Sequence, residues 1–361
     1  MVETIDNREA RDYDLAIIGA GIIGVCAAWY ARSQHPQWRI VLIDQGKVGG
    51  GATHYSASLD LPYGHTPLRY QLAERSHELY LQLRKELPDL PIKDLIFYGI
   101  VSAQNAPSVL QQITDSNATL SPDIIPALLN DYPQLILPAG TTIISGAAAS
   151  QAVTNDVADL LAENFAATPG SSVIEHTKVI KVKSADNKFE LQTSGGGCYG
   201  SARVIQATGP WKNEIAGPAF LTVQNTRVKK IVAFHIHHQP KPTDPLFYFF
   251  DDDAFLMPKY EAGYWLFSFK CDHWDVLPAI ETLHIDNTDI EKAQGILQKY
   301  YPSFAPLCTQ GRVFCDLYAG DGDPVIDQAI NNSNYVFAGA GAGSGYRLAP
   351  AIAEEAVNSF L

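Results

Sequence analysis

The chain has no uninterrupted apolar run near the ~18 residues that a membrane-spanning helix requires, which argues against a bilayer partner. Its first residues, Met1 to Asp12, are polar and charged and contain no apolar signal-peptide core. Basic residues are few: 26 Lys and Arg stand against 39 Asp and Glu, for a net charge of −13. No basic stripe occurs, and Lys229-Lys230 is too short to make one, so a nucleic-acid or anionic-membrane partner is not expected. The five cysteines (Cys26, Cys198, Cys271, Cys308, Cys315) form no C-x-x-C pair and are odd in number. That excludes a disulfide framework and implies reduced thiols in a cytoplasmic setting. The Asn-x-Ser/Thr matches at Asn117 and Asn331 are then read as chance. No Ser-His-Asp set, metal-ligand spacing or tandem repeat stands out.

What is present begins at Tyr13. Tyr13 to Ile18 is a short apolar run suited to a buried parallel strand, and it leads into Gly19-Ala20-Gly21-Ile22-Ile23-Gly24. Val25 to Arg32 follows as an amphipathic helix. In this order Gly19 permits the tight turn, Gly21 lets backbone approach a pyrophosphate, and Gly24 lets helix and strand pack closely. The helix N-terminus offers N–H groups and a positive dipole end to phosphates. A second strand, Arg39 to Ile43, ends at Asp44, 20 residues past Gly24, where a carboxylate can accept from an adenosine ribose hydroxyl. A second glycine-rich turn, Gly49-Gly50-Gly51-Ala52-Thr53, follows at once. A chain that passes an extended cofactor twice suits FAD better than NAD.

With 361 residues, 46% apolar and 18% charged, the chain is a globular protein too long for one simple core. His54 to Gly64 reads as a loop and Pro67-Leu68-Arg69 opens a helix with Leu68, Leu72, Leu79 and Leu83 on its buried face. Residues 96–103 read as a strand, 106–113 as a short helix, and 121–140 show no periodicity. Ser150 to Ala166 is expected as one helix, followed by a β-meander and a buried strand, Arg203 to Gln206, ending at Ala207-Thr208-Gly209. Residues 226–269 are strongly β and rich in aromatics, with Asp251-Asp252-Asp253 at a hairpin turn. Thr288 to Tyr300 and Leu348 to Phe360 read as helices. Nucleotide-layer features thus occur at the start, middle and end, which predicts two discontinuous, interleaved domains.

Four marks in this order resemble the glycine oxidase, sarcosine oxidase and D-amino-acid oxidase group of FAD-dependent amine and amino-acid oxidases. They are Gly19–Gly24, Gly49–Thr53, Ala207-Thr208-Gly209-Pro210-Trp211, and Gly343-Ser344-Gly345-Tyr346-Arg347-Leu348-Ala349-Pro350. The resemblance implies an α/β fold: a Rossmann-like FAD-binding layer (10–80, 141–215 and 311–361) interleaved with an antiparallel-sheet substrate domain (81–140 and 216–310), the flavin ring between them. It implies hydride removal from a carbon bearing an amine, giving an imine and, with oxygen, hydrogen peroxide. The cofactor contacts it implies are Gly19, Gly21, Ile23, Gly24, Asp44, Gly51, Ala52, Thr53, Val179, Thr208, Gly209, Trp211, Gly343, Gly345, Tyr346, Arg347 and Leu348.

By the same resemblance Arg347 matches a lysine that pairs with the substrate carboxylate in sarcosine-oxidase-like members. His54 lies in a loop that faces the flavin. Tyr318 is the best match to an arginine that glycine-oxidase-like members carry before an Asp-Gly-x-Pro segment. Trp265 falls near an oxygen-activating lysine, with Lys270 further along, and Ala57-Ser58-Leu59 lacks the arginine that sarcosine-type members carry there. Those departures point away from free glycine or sarcosine, toward a modified or carrier-linked amino acid. Non-covalent FAD is expected, attachment through Cys315 being the alternative. No metal is expected: His235 and His237 share a strand face without a further ligand at suitable spacing, so a solvated face is the reading. Oxidation of a 2-hydroxy acid, an acceptor other than oxygen, or flavin binding without turnover stay open as alternatives.

Overall fold

A computed structural model describes residues 11–185 and 188–360. The polar stretch before residue 11 lies outside the described residues, and among these no helix is long and apolar enough to cross a membrane. The chain divides into two compact units, both discontinuous: Met1–His54, Thr154–Arg227 and Leu317–Leu361 in the first, Tyr55–Val153 and Val228–Asp316 in the second. The division at His54 and Tyr55 moves the helix Pro67–Glu86 into the second unit, away from the sequence-based boundary at residue 80.

The first unit is built on a six-stranded sheet. Its order is Ser171–Ile174, Ile40–Ile43, Leu15–Ile18, Val204–Gln206, Asn332–Gly339 and Val325–Ala329. The first five strands are parallel and the last is antiparallel. The runs Leu15–Ile18 and Ile40–Ile43 are buried at every position, which is why they lack a polar alternation. Helix Ile22–Gln34 packs against the helices Thr154–Ala166 and Gly345–Asn358. A four-stranded sheet (Arg11–Tyr13, Cys198–Ser201, Lys188–Thr193, Val179–Ala185) carries the expected meander.

The second unit carries most of an eight-stranded sheet, ordered Gly311–Ala319, Thr226–Ile236, Tyr264–Phe269, Ala254–Lys259, Leu246–Phe249, Phe97–Ser102, Thr141–Ser145, Thr119–Leu120. Alternation divides its side chains between two cores. Phe234, Ile236, Trp265, Phe267 and Phe269 enter one, together with Leu297 and Tyr300 of the helix Asn287–Tyr300. Ala233, Met257 and Leu266 enter the other, beneath Leu59 and Leu61.

Several expectations need correction. Ser150 to Ala166 is not one helix: Ala149–Ala152 is a strand paired with Leu59–Asp60 and Ile92–Leu95, and the helix is Thr154–Ala166. His54 to Gly64 is not simply a loop, since it holds the end of the short helix Ala52–Tyr55 and that strand Leu59–Asp60. A helix, Ile125–Asp131, occupies the proline-dense stretch. The last helix starts three residues early, at Gly345.

Helix Asn287–Tyr300 is capped by Asp286, whose carboxylate accepts from Asp289 N–H while Asp289 accepts in return. Lys230 completes the cap, its ammonium 2.6 Å from the Asp289 carboxylate and 2.9 Å from that of Asp286. The Thr288 hydroxyl and then Lys230 hold the Asp286 carboxyl below the usual carboxylate range. A depressed carboxylate stabilises the fold above its unfolded value, about 3.9, and that contribution is lost as pH falls below it. Lys230→Met strands the buried Asp289 charge, so urea denaturation at pH 7 is expected to show a loss of about 3–5 kcal/mol. Lys230→Met combined with Asp289→Asn is expected to recover much of it.

Candidate functional site

In the first unit the glycine turn, the acid and both small-residue segments converge at the C-terminal edge of the parallel sheet, where ligands bind in open α/β sheets. Leu15–Ile18 runs out into Gly19, Ile40–Ile43 into Asp44, Val204–Gln206 into Ala207-Thr208-Gly209, and Asn332–Gly339 into Ala340 to Gly343. Gly19 has φ +103, and a Cβ there would lie 2.4 Å from the Ala207 carbonyl oxygen. A Cβ on Gly24 would lie 1.8 Å from the Gly19 carbonyl oxygen. Gly21 is different: an added Cβ meets only the Thr53 hydroxyl oxygen, at 3.3 Å, and faces space otherwise open. Gly21 is also the N-cap of Ile22–Gln34 and has no side-chain cap, so the dipole end stays available to a phosphate. The neighbouring Ile23 is only partly buried in that first turn.

Polar contacts tie the segments together. Asp44 accepts from Ala20 N–H at 2.6 Å with one oxygen and from Gly46 N–H at 2.7 Å with the other. Each oxygen keeps a second lone pair, which a ribose hydroxyl can use. Burial pushes this carboxyl up despite those two bonds. Thr53 is buried and accepts from Ile22 N–H at 3.0 Å, which ties the second glycine turn to the first. A Cβ on Gly51 would meet the Trp211 ring at 3.1 Å. Ala52 is partly buried beside it, and His54 is exposed at the same short helix. Thr208 accepts from Gln206, and Gly209 adopts φ +52. Val179 is buried at the head of the segment that follows Thr177, whose N–H donates to the Asp44 carbonyl at 2.7 Å. These cradles fit FAD.

Near the C-terminus, Gly343 has φ +79, and a Cβ on it would come within 2.8 Å of the Tyr318 hydroxyl. Gly345 opens the last helix, where Tyr346, Arg347 and Leu348 are all buried in its first turn. Tyr318 and the Gly343–Leu348 segment are thus brought together. Trp265 belongs to the second unit and is buried in its core, its ring stacked on Phe247 at 6.3 Å.

Two cationic features escaped the sequence reading. The buried Lys212, directly after Trp211, donates to the carbonyls of Val223 (2.6 Å) and Thr226 (2.9 Å). In the second unit Lys259, Arg312, His235 and Tyr264 gather on one sheet face. His235 is therefore no solvated strand residue: its ring stacks on Tyr264 at 4.2 Å, while His237 is exposed. Among the described residues the group with metal-ligand geometry is Cys271, His273 and Asp289. Lys230 already contacts it, 3.3 Å from His273 Nδ1 and 2.6 Å from Asp289, so an ammonium neutralises the acid there. A cleft of about 300 Å³ in the second unit, lined by Glu74, His77, Glu78 and Asp115 among others, contains none of the expected residues.

Two substitutions separate folding from cofactor binding. Gly24→Ala drives a methyl into the Gly19 carbonyl and is expected to lower the thermal midpoint with or without added FAD. Gly21→Val is expected to fold, since only Thr53 lies near, but to purify with little FAD because the side chain enters the phosphate space. Absorbance of the bound flavin per protein, with calorimetry, reads both; full FAD content in Gly21→Val contradicts the assignment.

A search of the curated proteins found no match. Among solved structures, glycine oxidase from Geobacillus kaustophilus superposes with a TM-score of 0.76 at 16% identity, over 95% of this chain and 93% of that one. A mutant of NikD, an unusual amino acid oxidase essential for nikkomycin biosynthesis, gives 0.75 at 14% identity, over 97% and 94%. L-alpha-glycerophosphate oxidase from Mycoplasma pneumoniae, with FAD bound, gives 0.77 at 16% identity, over 97% and 94%. At these identities the likeness is one of fold. The family model for FAD dependent oxidoreductases (DAO) matches residues 14–359, and the chain belongs to that family.

Proposed function

We propose that the protein oxidises an amine at the carbon bearing the nitrogen, in an amino-acid-like or secondary-amine substrate, giving an imine and passing the electrons to oxygen. The observation that carries this reading is Arg347, a buried guanidinium in the first turn of the last helix, directly after the Gly343–Gly345 turn. Glycine oxidase and NikD, an amino acid oxidase, share the fold and favour the amine. FAD, when bound, supplies the hydride acceptor. The protein's part is to hold the substrate in one orientation and keep water away. Arg347 donates two parallel hydrogen bonds to the substrate carboxylate, and its burial strengthens that pairing. Tyr318, packed at Gly343, shapes the same segment.

FAD is held without a covalent bond in this reading. Cys315 is buried, and burial followed by the nearby Asp316 pushes its thiol up to about 12, far from the thiolate that attachment requires. A second reading keeps the fold and oxidises a carbon bearing a hydroxyl, because the glycerophosphate oxidase shares this architecture.

Aerobic turnover of D- and L-amino acids, N-methyl amino acids, 2-hydroxy acids and glycerol phosphates, read as peroxide and carbonyl product, separates the two. Amine-dependent peroxide is expected; peroxide from hydroxy substrates alone favours the second reading. On the amine so found, Arg347→Ala is expected to lower kcat/KM by about 30-fold to several thousand-fold, the scale of ~2–5 kcal/mol for a broken desolvated pair. Arg347→Lys is expected to recover part of it at matched FAD content. Near-normal kcat/KM in Arg347→Ala on a carboxylate substrate removes Arg347 from the role.

A further inference from the structure

The side chains of Lys259, His235, Tyr264 and Arg312 come from four strands of the eight-stranded sheet and meet on one face. The register sets His235 opposite Leu266 and Lys259 opposite Tyr264, while Trp265 and Phe267 turn to the other core. Arg312 donates to the Ser56 carbonyl at 2.8 Å, and the Tyr264 hydroxyl hydrogen-bonds the guanidinium. Lys259 Nζ donates to the Ala57 carbonyl at 3.1 Å and lies 3.5 Å from that of Ala152. Neutral carbonyls therefore hold two cations, and among the described residues neither is paired with a carboxylate.

That imbalance shifts the titration of the groups involved. Burial, and then the charge of Arg312, lowers the Lys259 ammonium to about 7. Burial, then Arg312 and His237, lowers His235 to about 4. No carboxylate contributes to the shift of Lys259, Arg312 or His235. The Nε of Arg312 and the Nε2 of His235 are buried and have no hydrogen-bond partner. Elsewhere in this unit the protein treats a buried cation differently: Lys230 is given two carboxylates. Clustered basic groups with an idle guanidinium N–H and no counter-charge are the complement of an anion, and the planar fork of a guanidinium matches a carboxylate best.

We propose that Arg312, Lys259, His235 and Tyr264 form a binding site for the carboxylate of an acidic ligand. The ligand is either the substrate, through an acid group, or a separate small carboxylic acid. Identifying it with the substrate rests on the amine-oxidation reading; the binding site does not. Binding an anion raises the Lys259 ammonium, so the complex takes up a proton near neutral pH. His235 remains neutral there, and His237 and Arg312 are the other charged or titratable groups that act on Lys259 and His235.

The test uses the FAD-loaded full chain and sodium acetate as probe. Calorimetric titration at pH 7.5 in two buffers of different ionisation heat is expected to give saturable binding with proton uptake. Arg312→Met and Lys259→Met are each expected to weaken binding at least tenfold. Lys259→Met also removes the proton uptake, which a merely structural lysine does not do. Arg312→Lys, which keeps a cation near Ser56, controls for loss of fold and is expected to bind with intermediate strength. Equal acetate binding in wild type and both methionine variants, or no saturable binding in wild type, overturns the proposal. Once a substrate amine is known, a KM raised by Arg312→Met for an acidic amine but not for its uncharged analogue identifies the ligand as substrate. Acetate binding that leaves both KM values unchanged identifies a separate acid. Absence of amine turnover leaves the calorimetric test intact.

Discussion

The first unit depends on one close approach, that of Gly24 to the Gly19 carbonyl. Because not even a methyl group fits between them, the helix Ile22–Gln34 starts hard against the end of the strand Leu15–Ile18. The helix dipole, the Ala20 N–H to Asp44 bond and the Ile22 N–H to Thr53 bond all follow from that placement. Asp44 then has two duties. Its contacts with backbone N–H groups fix the turn around Ala20 and Gly46, and its spare lone pairs can still accept. A short carboxylate at the strand end is rigid enough for both.

The second unit follows a different rule, set by how buried cations are satisfied. Lys230 sits between two carboxylates and serves a helix cap. Lys259 and Arg312 sit on carbonyls of residues 56, 57 and 152, with no acid beside them among the described residues. The first arrangement is complete as it stands; the second retains binding capacity. Lys212 in the first unit is an intermediate case, its ammonium used wholly on the Val223 and Thr226 segment.

Local chemistry was legible in the sequence wherever a function is carried by backbone geometry. Glycine at a tight crossing leaves a spacing signature, so the turn at Gly19–Gly24 and the acid Asp44 could be read from the order of elements, while the Gly343–Gly345 entry was read through a family resemblance. What depends on distant partners was not legible. Ala149–Ala152 is a strand because Leu59–Asp60 and Ile92–Leu95 flank it, and nothing in a run of small residues records that. The burial of Trp265 was not legible either, because strand alternation sends it into one core and Leu266 into the other. His235 looked solvated for a related reason: the Tyr264 ring and Arg312 that cover it arrive from other strands.

Amine oxidation is tested most directly by mixing the FAD-loaded protein with its substrate without oxygen and following the flavin absorbance in a single turnover. The expected result is rapid bleaching that slows severalfold when deuterium replaces hydrogen on the carbon bearing the nitrogen, with an imine-derived carbonyl released in equal amount. Bleaching insensitive to that deuterium, or driven only by substrates without nitrogen, contradicts the account.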